Sequence, residues 1–309
     1  MEHIRSRLGK VERATTRVSR DALALALDGA VPATDLTAEA AYRAAFSPLS
    51  SVMHRPIQRL RDLSAAGLVA VSARFDNTHR LLDALGVTPI STCAIPDDES
   101  WPGILVVGCM GATHVEQNRW FERMLERGAI VVSSDRSAAV PVLTGGLSVA
   151  TRRPACRARV AVRPDLADGL ESGAEWGRLV SEMHPAVRLS AGHLPLNREQ
   201  HCHAKILADD VLTDEPLAIL ATIGGGQVLH SVAHWWQDMP ADPTEMGRRP
   251  LASVRAFAML GHEHPDARFG WFGAASVMMT VLLAGLDAAL DRVAWQFPVT
   301  GIAASTNSD

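Results

Sequence analysis

Short apolar runs alternate with amphipathic stretches through the middle of the chain. The apolar runs have strand length and lie at residues 68–71, 104–107 and 129–132, and residues 87–90 are predicted as a further strand. The run at 104–107 (ILVV) has no polar residue, as expected of a parallel strand that is buried on both faces. The stretches between the runs have helical periodicity, and several of them end at a glycine. This alternation predicts an α/β fold with a doubly wound, mostly parallel sheet.

After about residue 145 the pattern changes to one-by-one alternation of polar and apolar positions. The period-two strands are LSVAT (147–151) and RVAVR (159–163). The clearest hairpin is LAILATI-GGG-QVLHSVAH, in which residues 217–223 and 227–234 are strands and three glycines supply the turn. This segment predicts a C-terminal antiparallel hairpin. A short helix is expected at about 176–183 and a long one over 274–292.

The first part of the chain has a different character, because helix-favouring residues dominate it. Helices are predicted over 15–27 and 38–46, with a turn at Pro32 between them. We therefore divide the chain into a helical N-terminal extension, residues 1–55, and an α/β domain, residues 56–309.

One apolar stretch has the length of a membrane span. Residues 269–286 carry no charge, but they are rich in Gly, Ala and Ser, and Asp287 and Asp291 follow them. No basic cluster flanks the stretch on its C-terminal side. We predict a buried core helix and no membrane partner.

Composition and charge argue against nucleic-acid binding and against a secreted, disulfide-bonded protein. The 309 residues carry a formal net charge of -4, and no basic patch is present, so nucleic acid is not an expected partner. The four cysteines show no CxxC spacing, and the charged N-terminus lacks the apolar core of a secretory signal. Free thiols and a cytoplasmic location are the expectation.

Three motifs carry a resemblance to a known superfamily. ILVVGCMG, RGAIVVSSDRSA and GGGQVLHSVAHWWQ, in this order, resemble segments of class I glutamine amidotransferase-like and trehalose-utilisation-like bacterial proteins. The resemblance covers about residues 66–292. It implies a flavodoxin-like fold with a glycine-bearing loop, a strand that leads into a nucleophile elbow, and a strand that ends at a catalytic histidine.

The chain departs from that superfamily at the elbow. An active member has Cys in a Gly-x-Cys-x-Gly turn after the fourth strand, whereas here Ser134 falls at that position without a flanking glycine. A sharp turn without glycine is costly, so conventional glutaminase activity is not expected. Cys109, at the end of the third strand, is the alternative nucleophile or else a structural cysteine.

His234 matches the superfamily's histidine. The carboxylate that usually follows it is replaced by the sequence Trp235-Trp236-Gln237, so the sequence shows nothing that orients the imidazole. Two interpretations stay open, a serine-hydrolase dyad of Ser134 with His234, and a histidine that only lines a pocket.

Histidine spacing suggests a metal site elsewhere. His201 and His203 form an HxH pair, and on a strand two such side chains point the same way about 6.6 Å apart. His193 is a candidate third ligand, and Asp135 a candidate carboxylate. The cofactor is not fixed by the sequence, and one divalent transition metal such as zinc is the candidate; the alternative is a polar loop without any ligand role.

The remaining candidates form a substrate-binding set at the carboxyl ends of the strands, where doubly wound folds bind ligands. Its members are Asp76, His79, Gly111, Asp135, Arg136 and His230. Asp76 or Asn77 is alternatively the cap of the following helix, and Arg136 either binds a carboxylate substrate or pairs with Asp135.

Three functional hypotheses follow. The first is an amidotransferase-like protein that lacks the usual nucleophilic cysteine and binds or transforms a small polar metabolite at the carboxyl ends of the strands, around Cys109, Ser134, Asp135 and His234. The second is a hydrolase that uses a metal at His201 and His203, or the Ser134–His234 dyad. The third is a scaffold that forms a homo-oligomer through its helical N-terminus and the Trp235–Trp236 region.

Overall fold

The computed structural model describes most of the chain from residue 33 onward. The described ranges are 33–72, 76–92, 101–109, 115–151, 158–162, 181–183, 187–193, 203–210, 213–236, 248–253 and 262–293. The α-helices in these ranges are α1 (Ala33–Val52), α2 (His54–Ala65), α3 (Thr78–Ala84), α4 (Val115–Glu126) and α5 (Phe269–Leu290).

The strands follow the alternation seen in the sequence and then continue beyond it. In chain order they are β1 (Val69–Val71), β2 (Ile90–Ser91), β3 (Ile104–Gly108), β4 (Ile130–Ser134), β5 (Leu147–Thr151), β6 (Ala158–Val162), β7 (Ser181–Met183), β8 (Val187–His193), β9 (His203–Asp210), β10 (Pro216–Ile223) and β11 (Gly226–Ser231). The segment Ser181–Met183 is strand, so the short helix expected at 176–183 does not extend to residue 183.

The main sheet has a parallel half and an antiparallel half. Strands β2, β1, β3, β4 and β11 are parallel neighbours in that order, which is the 2-1-3-4-5 order of flavodoxin-like folds. From β11 the sheet continues antiparallel through β10, β9, β6 and β7, while β5 and β8 form a separate pair. The predicted α/β fold and its hairpin are confirmed, and the antiparallel part is larger than the hairpin alone.

Both faces of the parallel half are covered by helices, because its strands are apolar on both sides. In β3, Ile104 and Val106 pack in the core formed with α1, α2, α3 and α5, whereas Leu105 and Val107 pack in the core that contains Phe121 of α4. Successive side chains of a strand point to opposite faces, so an uninterrupted apolar run supplies two cores at once.

Helix α5 is the long apolar helix of the sequence. By length and composition it is able to cross a membrane, but 78% of its apolar window is buried inside the fold. Its last turns carry carboxylates that pair with α2: Arg59 Nη1 lies 3.2 Å from Asp287 and 2.7 Å from Asp291. This burial confirms the predicted core helix.

Helix α1 packs in the same core and reaches the carboxyl edge of the sheet. Tyr42 is buried, donates a hydrogen bond from its hydroxyl to the carbonyl of Trp235 at 2.7 Å, and stacks on Trp236 with ring centroids 4.3 Å apart. Trp235 and Trp236 are fully buried within this chain, so they are not available as an exposed oligomer interface. Residues 1–32 lie outside the described ranges, and the boundary between residues 55 and 56 stays a prediction.

Candidate functional site

The carboxyl edge of the parallel strands gathers the polar residues that the sequence singles out. Ser231, the last residue of β11, is in register with Ser134, the last residue of β4. Cys109 directly follows β3, Asp135 directly follows β4, and His234 lies three residues beyond β11. Because these strands are neighbours and parallel, the three side chains meet at one edge.

The turn after β4 is made by Asp135. Its φ of 47° lies in the left-handed region, whereas Ser134 has the extended backbone of a strand residue, with φ -145°. The sharp turn therefore falls one residue later than the elbow position that we assigned to Ser134. Aspartate tolerates left-handed backbone better than most residues, so the turn forms without the superfamily's glycines.

Cys109, Asp135 and His234 form a compact group. The Cys109 thiol donates to Asp135 Oδ2 with an Sγ–Oδ2 distance of 3.5 Å, and His234 Nε2 lies 3.4 Å from the same oxygen. One ligand atom from each residue lies within 4.8 Å of the other two. Cys109 and Asp135 are buried, while the His234 side chain is 31% exposed and connects the group with solvent.

The second oxygen of Asp135 stands out. Oδ1 is buried and has no hydrogen-bond partner among the described residues. Buried carboxylate oxygens in proteins are almost always hydrogen-bonded, and an unpaired one costs free energy. Together with the left-handed backbone, this marks Asp135 as the strained residue of the edge.

The charges of the group are coupled. Burial acts to raise the pKa of Asp135, but the hydrogen bond and charge of His234 outweigh it and lower the pKa. Cys109 and the nearby backbone amide of Arg136 contribute less, and that amide does not reach hydrogen-bond geometry with Oδ1. Burial acts to lower the pKa of His234. Opposing contributions outweigh burial and hold that pKa well above its usual value: the histidine's hydrogen bonds to Asp135 and Cys109, and the negative charges of Asp76 and Asp135. The site therefore favours a positive charge beside Asp135.

Asp76 is the second buried carboxylate of this edge, and its bonding is complete on both oxygens. Oδ2 accepts hydrogen bonds from Ser134 Oγ at 2.6 Å and from the Trp235 amide at 3.0 Å, and Oδ1 accepts one from the Trp236 amide at 3.2 Å. Asn77, not Asp76, occupies the cap position of α3. Asp76 thus ties the start of α3 to the segment that carries His234.

The serines and the second histidine belong to the buried framework of the edge. Ser134 is fully buried and donates its hydroxyl proton to Asp76, so its oxygen is poorly placed to attack a substrate. His230 is also fully buried, with Nδ1 2.9 Å from Ser133 Oγ, and burial lowers the pKa of His230 to about 4. His230 is therefore neutral near pH 7.

Two of the expected substrate-binding side chains are exposed. His79 lies in the first turn of α3, and Arg136 follows Asp135 in the turn after β4. Gly111 lies outside the described residues, so the position of the expected glycine-bearing loop is not described.

The expected metal ligands of the HxH pair lie elsewhere in the fold. The position of His203 follows from the register of four neighbouring strands. His203, the first residue of β9, pairs with Thr222 of β10. Thr222 pairs with Gln227 of β11, and Gln227 pairs with Ile130, the first residue of β4. His203 is therefore at the amino edge of the parallel strands, about four residues or roughly 13 Å from the carboxyl edge. His193 ends β8, which belongs to the separate two-stranded sheet, and His201 lies outside the described residues.

Sequence reasoning placed all three residues around one pocket at the carboxyl ends of the strands, together with Ser134, but it did not predict their mutual contacts. Cys109 and His234 were candidate catalytic residues, and Asp135 was assigned to substrate binding and to a metal at the HxH pair. Their common signal is that each follows the carboxyl end of one of three adjacent parallel strands.

These features define an α/β protein whose parallel half has the flavodoxin order and whose carboxyl edge carries a Cys–Asp–His group with a buried cysteine and aspartate and a partly exposed histidine. Among solved structures it is similar to the exo-β-1,4-mannosidase Op5Man5 from Opitutaceae bacterium strain TAV5, at 17% identity and a TM-score of 0.35, over 69% of this chain and 30% of that one. It is also similar to a β-galactosidase from Bacillus circulans sp. alkalophilus, at 12% identity and a TM-score of 0.33, over 54% and 28% of the two chains.

A third solved structure matches over nearly its whole length. It is a candidate GMP synthase subunit from Thermoplasma acidophilum, with 11% identity and a TM-score of 0.39, over 72% of this chain and 98% of that one. The matched parts of the mannosidase and the β-galactosidase are less than a third of those proteins. No family model and no curated protein matches the chain. At this distance the similarities establish neither family membership nor activity.

Proposed function

We propose that this protein is a hydrolase that binds a small polar molecule at the carboxyl edge of its sheet and acts on it at Cys109, Asp135 and His234. The observation that carries the proposal is the state of Asp135. Its backbone is left-handed, its side chain contacts the other two residues, and its Oδ1 is buried without a hydrogen-bond partner among the described residues. Strain and unsatisfied polar atoms of this kind concentrate at functional sites.

The arrangement is convergent rather than relayed. In a nucleophilic triad the imidazole bridges its two partners with its two nitrogens. Here Cys109 Sγ and His234 Nε2 both approach the same oxygen, Asp135 Oδ2, and His234 also bonds to Cys109, so the three side chains contact one another around one point. Such a group is better suited to binding and polarising a molecule or ion among the three side chains than to a proton relay from one side chain to the next.

The residues at the turn after β4 argue against a covalent acyl intermediate formed at the elbow position. The residue in the sharp turn is Asp135, a carboxylate with a lowered pKa, and the adjacent Ser134 hydroxyl is engaged with Asp76. The group's solvent connection runs through His234, whose side chain is 31% exposed. A small polar substrate would reach the group from that side.

The test is a hydrolysis assay with four classes of small substrate: p-nitrophenyl acetate, p-nitrophenyl phosphate, a p-nitroanilide and glutamine. We expect the wild-type chain to cleave at least one class. Asp135→Asn and His234→Gln should each lower kcat/KM for that class by about 100-fold or more, the usual size of the effect when a positioned acid, base or charge is lost.

The matched control is His54→Gln, which changes an exposed histidine at the start of α2. It should leave kcat/KM unchanged. The proposal is wrong if the full chain cleaves none of the four classes, or if Asp135→Asn and His234→Gln retain the wild-type rate while remaining folded by circular dichroism.

A further inference from the structure

We infer that Cys109, Asp135 and His234 together bind one divalent transition metal ion, with zinc as the best fit. This inference deepens the proposed hydrolase function, on which it rests, by naming the ion at the same site. It places the metal at the carboxyl edge, away from the HxH pair that was the candidate metal site in the sequence.

The distances fit tetrahedral coordination. Zinc binds sulfur at about 2.3 Å and nitrogen or oxygen at about 2.0–2.2 Å, so tetrahedral angles place N and O ligand atoms about 3.4 Å apart and S and O ligand atoms about 3.6 Å apart. The observed separations from Asp135 Oδ2 are 3.4 Å to His234 Nε2 and 3.5 Å to Cys109 Sγ. The third pair, the Cys109 sulfur and the His234 nitrogen, lies within 4.8 Å, so side-chain movement that brings this pair to about 3.6 Å completes a site for one ion.

The chemistry of the donors points to the same kind of ion. A thiolate, an imidazole and a carboxylate are ligands of zinc and of its transition-metal neighbours, whereas magnesium and calcium prefer oxygen alone. A thiolate and a carboxylate carry two negative charges, which a divalent ion neutralises. That balance matters here because Cys109 is 3% exposed and Asp135 8% exposed, and uncompensated buried charge is costly.

The unpartnered oxygen supplies an independent observation. Asp135 Oδ1 is buried beside the group and accepts no hydrogen bond from the described residues, so it is available for a bidentate contact or for an ion-bound water. Three protein ligands leave the fourth position of a tetrahedral ion open, which is the pattern of catalytic rather than structural zinc. The exposed part of His234 gives a water or a substrate access to that position.

The experiment measures metal binding on the full chain. Protein treated with EDTA and dialysed is titrated with Zn²⁺ by calorimetry, and with Co²⁺ while the absorption spectrum is recorded. We expect one ion per chain, and a Co²⁺ spectrum with the strong visible bands of tetrahedral coordination and a thiolate charge-transfer band.

Variants assign the ligands. Cys109→Ser should abolish the charge-transfer band, and Cys109→Ser, Asp135→Asn and His234→Gln should each weaken Zn²⁺ binding by at least roughly 100-fold, since even outer-shell changes cost 10–100-fold. Two exposed residues, changed as His54→Gln and Asp83→Asn, serve as controls and should bind as wild type. Circular dichroism of the metal-free variants separates loss of a ligand from loss of the fold.

Other outcomes decide against the inference. It is overturned if wild type binds no stoichiometric ion, or if binding survives the three site variants and is lost in a His201→Gln/His203→Gln double variant. Failure of the two proposals is distinguishable. If hydrolysis persists in EDTA but is lost in Asp135→Asn, only the metal inference is wrong. If the chain binds the metal but hydrolyses none of the substrate classes, only the proposed hydrolase function is wrong.

Discussion

Asp76 and Asp135 are two buried carboxylates at the same edge of the sheet, 3% and 8% exposed, yet their surroundings differ in every other respect. Asp76 accepts hydrogen bonds on both oxygens, from one hydroxyl and two backbone amides. Asp135 has left-handed backbone, interacts through Oδ2 with a thiol and a histidine, and leaves Oδ1 without a partner among the described residues. A buried carboxylate whose bonding is complete maintains the architecture, whereas one that is strained and incompletely bonded is available for a ligand.

The largest expected effect is the loss of Asp76. Asp76→Ala leaves the amides of Trp235 and Trp236 and the Ser134 hydroxyl as buried donors without their acceptor. Each such loss costs about 1–3 kcal/mol, so the free energy of unfolding should fall by about 4 kcal/mol. Urea unfolding followed by circular dichroism measures the change.

Asp83→Ala is the control for that measurement, because Asp83 is an exposed carboxylate on the neighbouring helix α3. It should unfold at the wild-type urea concentration. If Asp76→Ala were as stable as Asp83→Ala, Asp76 would not be the structural member of the pair.

A smaller effect concerns His230, which extends the buried framework into β11. Burial lowers the pKa of His230 from 6.5 to about 4, so between these two pH values the folded protein binds fewer protons than the unfolded chain. The contribution of His230 is therefore fully present above about pH 6.5 and is lost as the pH falls toward 4. The pKa change corresponds to about 3 kcal/mol.

The measurement is the free energy of unfolding of wild type and His230→Gln between pH 7 and 4. The difference between the two proteins should shrink across this range, because glutamine does not titrate. His54→Gln should keep the wild-type pH profile. A constant difference between wild type and His230→Gln would show that His230 is not held neutral by burial.

Much of the fold was predictable because it depends on local patterns. The apolar run at 104–107 predicted a strand buried on both faces, and β3 (Ile104–Gly108) supplies side chains to both cores. The three glycines 224–226 predicted the hairpin of β10 and β11. The antiparallel continuation through β9, β6 and β7 was not predictable, since period-two alternation identifies a strand but not its neighbour.

The candidate site was predictable in its membership but not in its contacts. Cys109 and His234 stood out by residue type and by their place after strands. The bond from the Trp235 amide to Asp76 joins residues 159 positions apart, and no spacing rule indicates it. The elbow was assigned one residue early, to Ser134, because no glycine marks the turn. The φ of Asp135 is a tertiary property that the sequence does not display.

The smallest effect tests the comparison most directly, because the same substitution is made at both carboxylates. Asp135→Asn keeps a side chain that tolerates left-handed backbone, and it removes a buried negative charge. It also removes the charge pairing with His234, but that pairing is partly screened by solvent because the His234 side chain is 31% exposed. These terms oppose each other, so the metal-free protein should change in stability by no more than about 1 kcal/mol. Asp76→Asn instead replaces an acceptor oxygen by an NH2 group facing buried donors and should lose about 2–3 kcal/mol. Urea unfolding of both variants in EDTA measures the contrast, and equal losses at the two positions would remove the distinction between a structural and a ligand-binding aspartate.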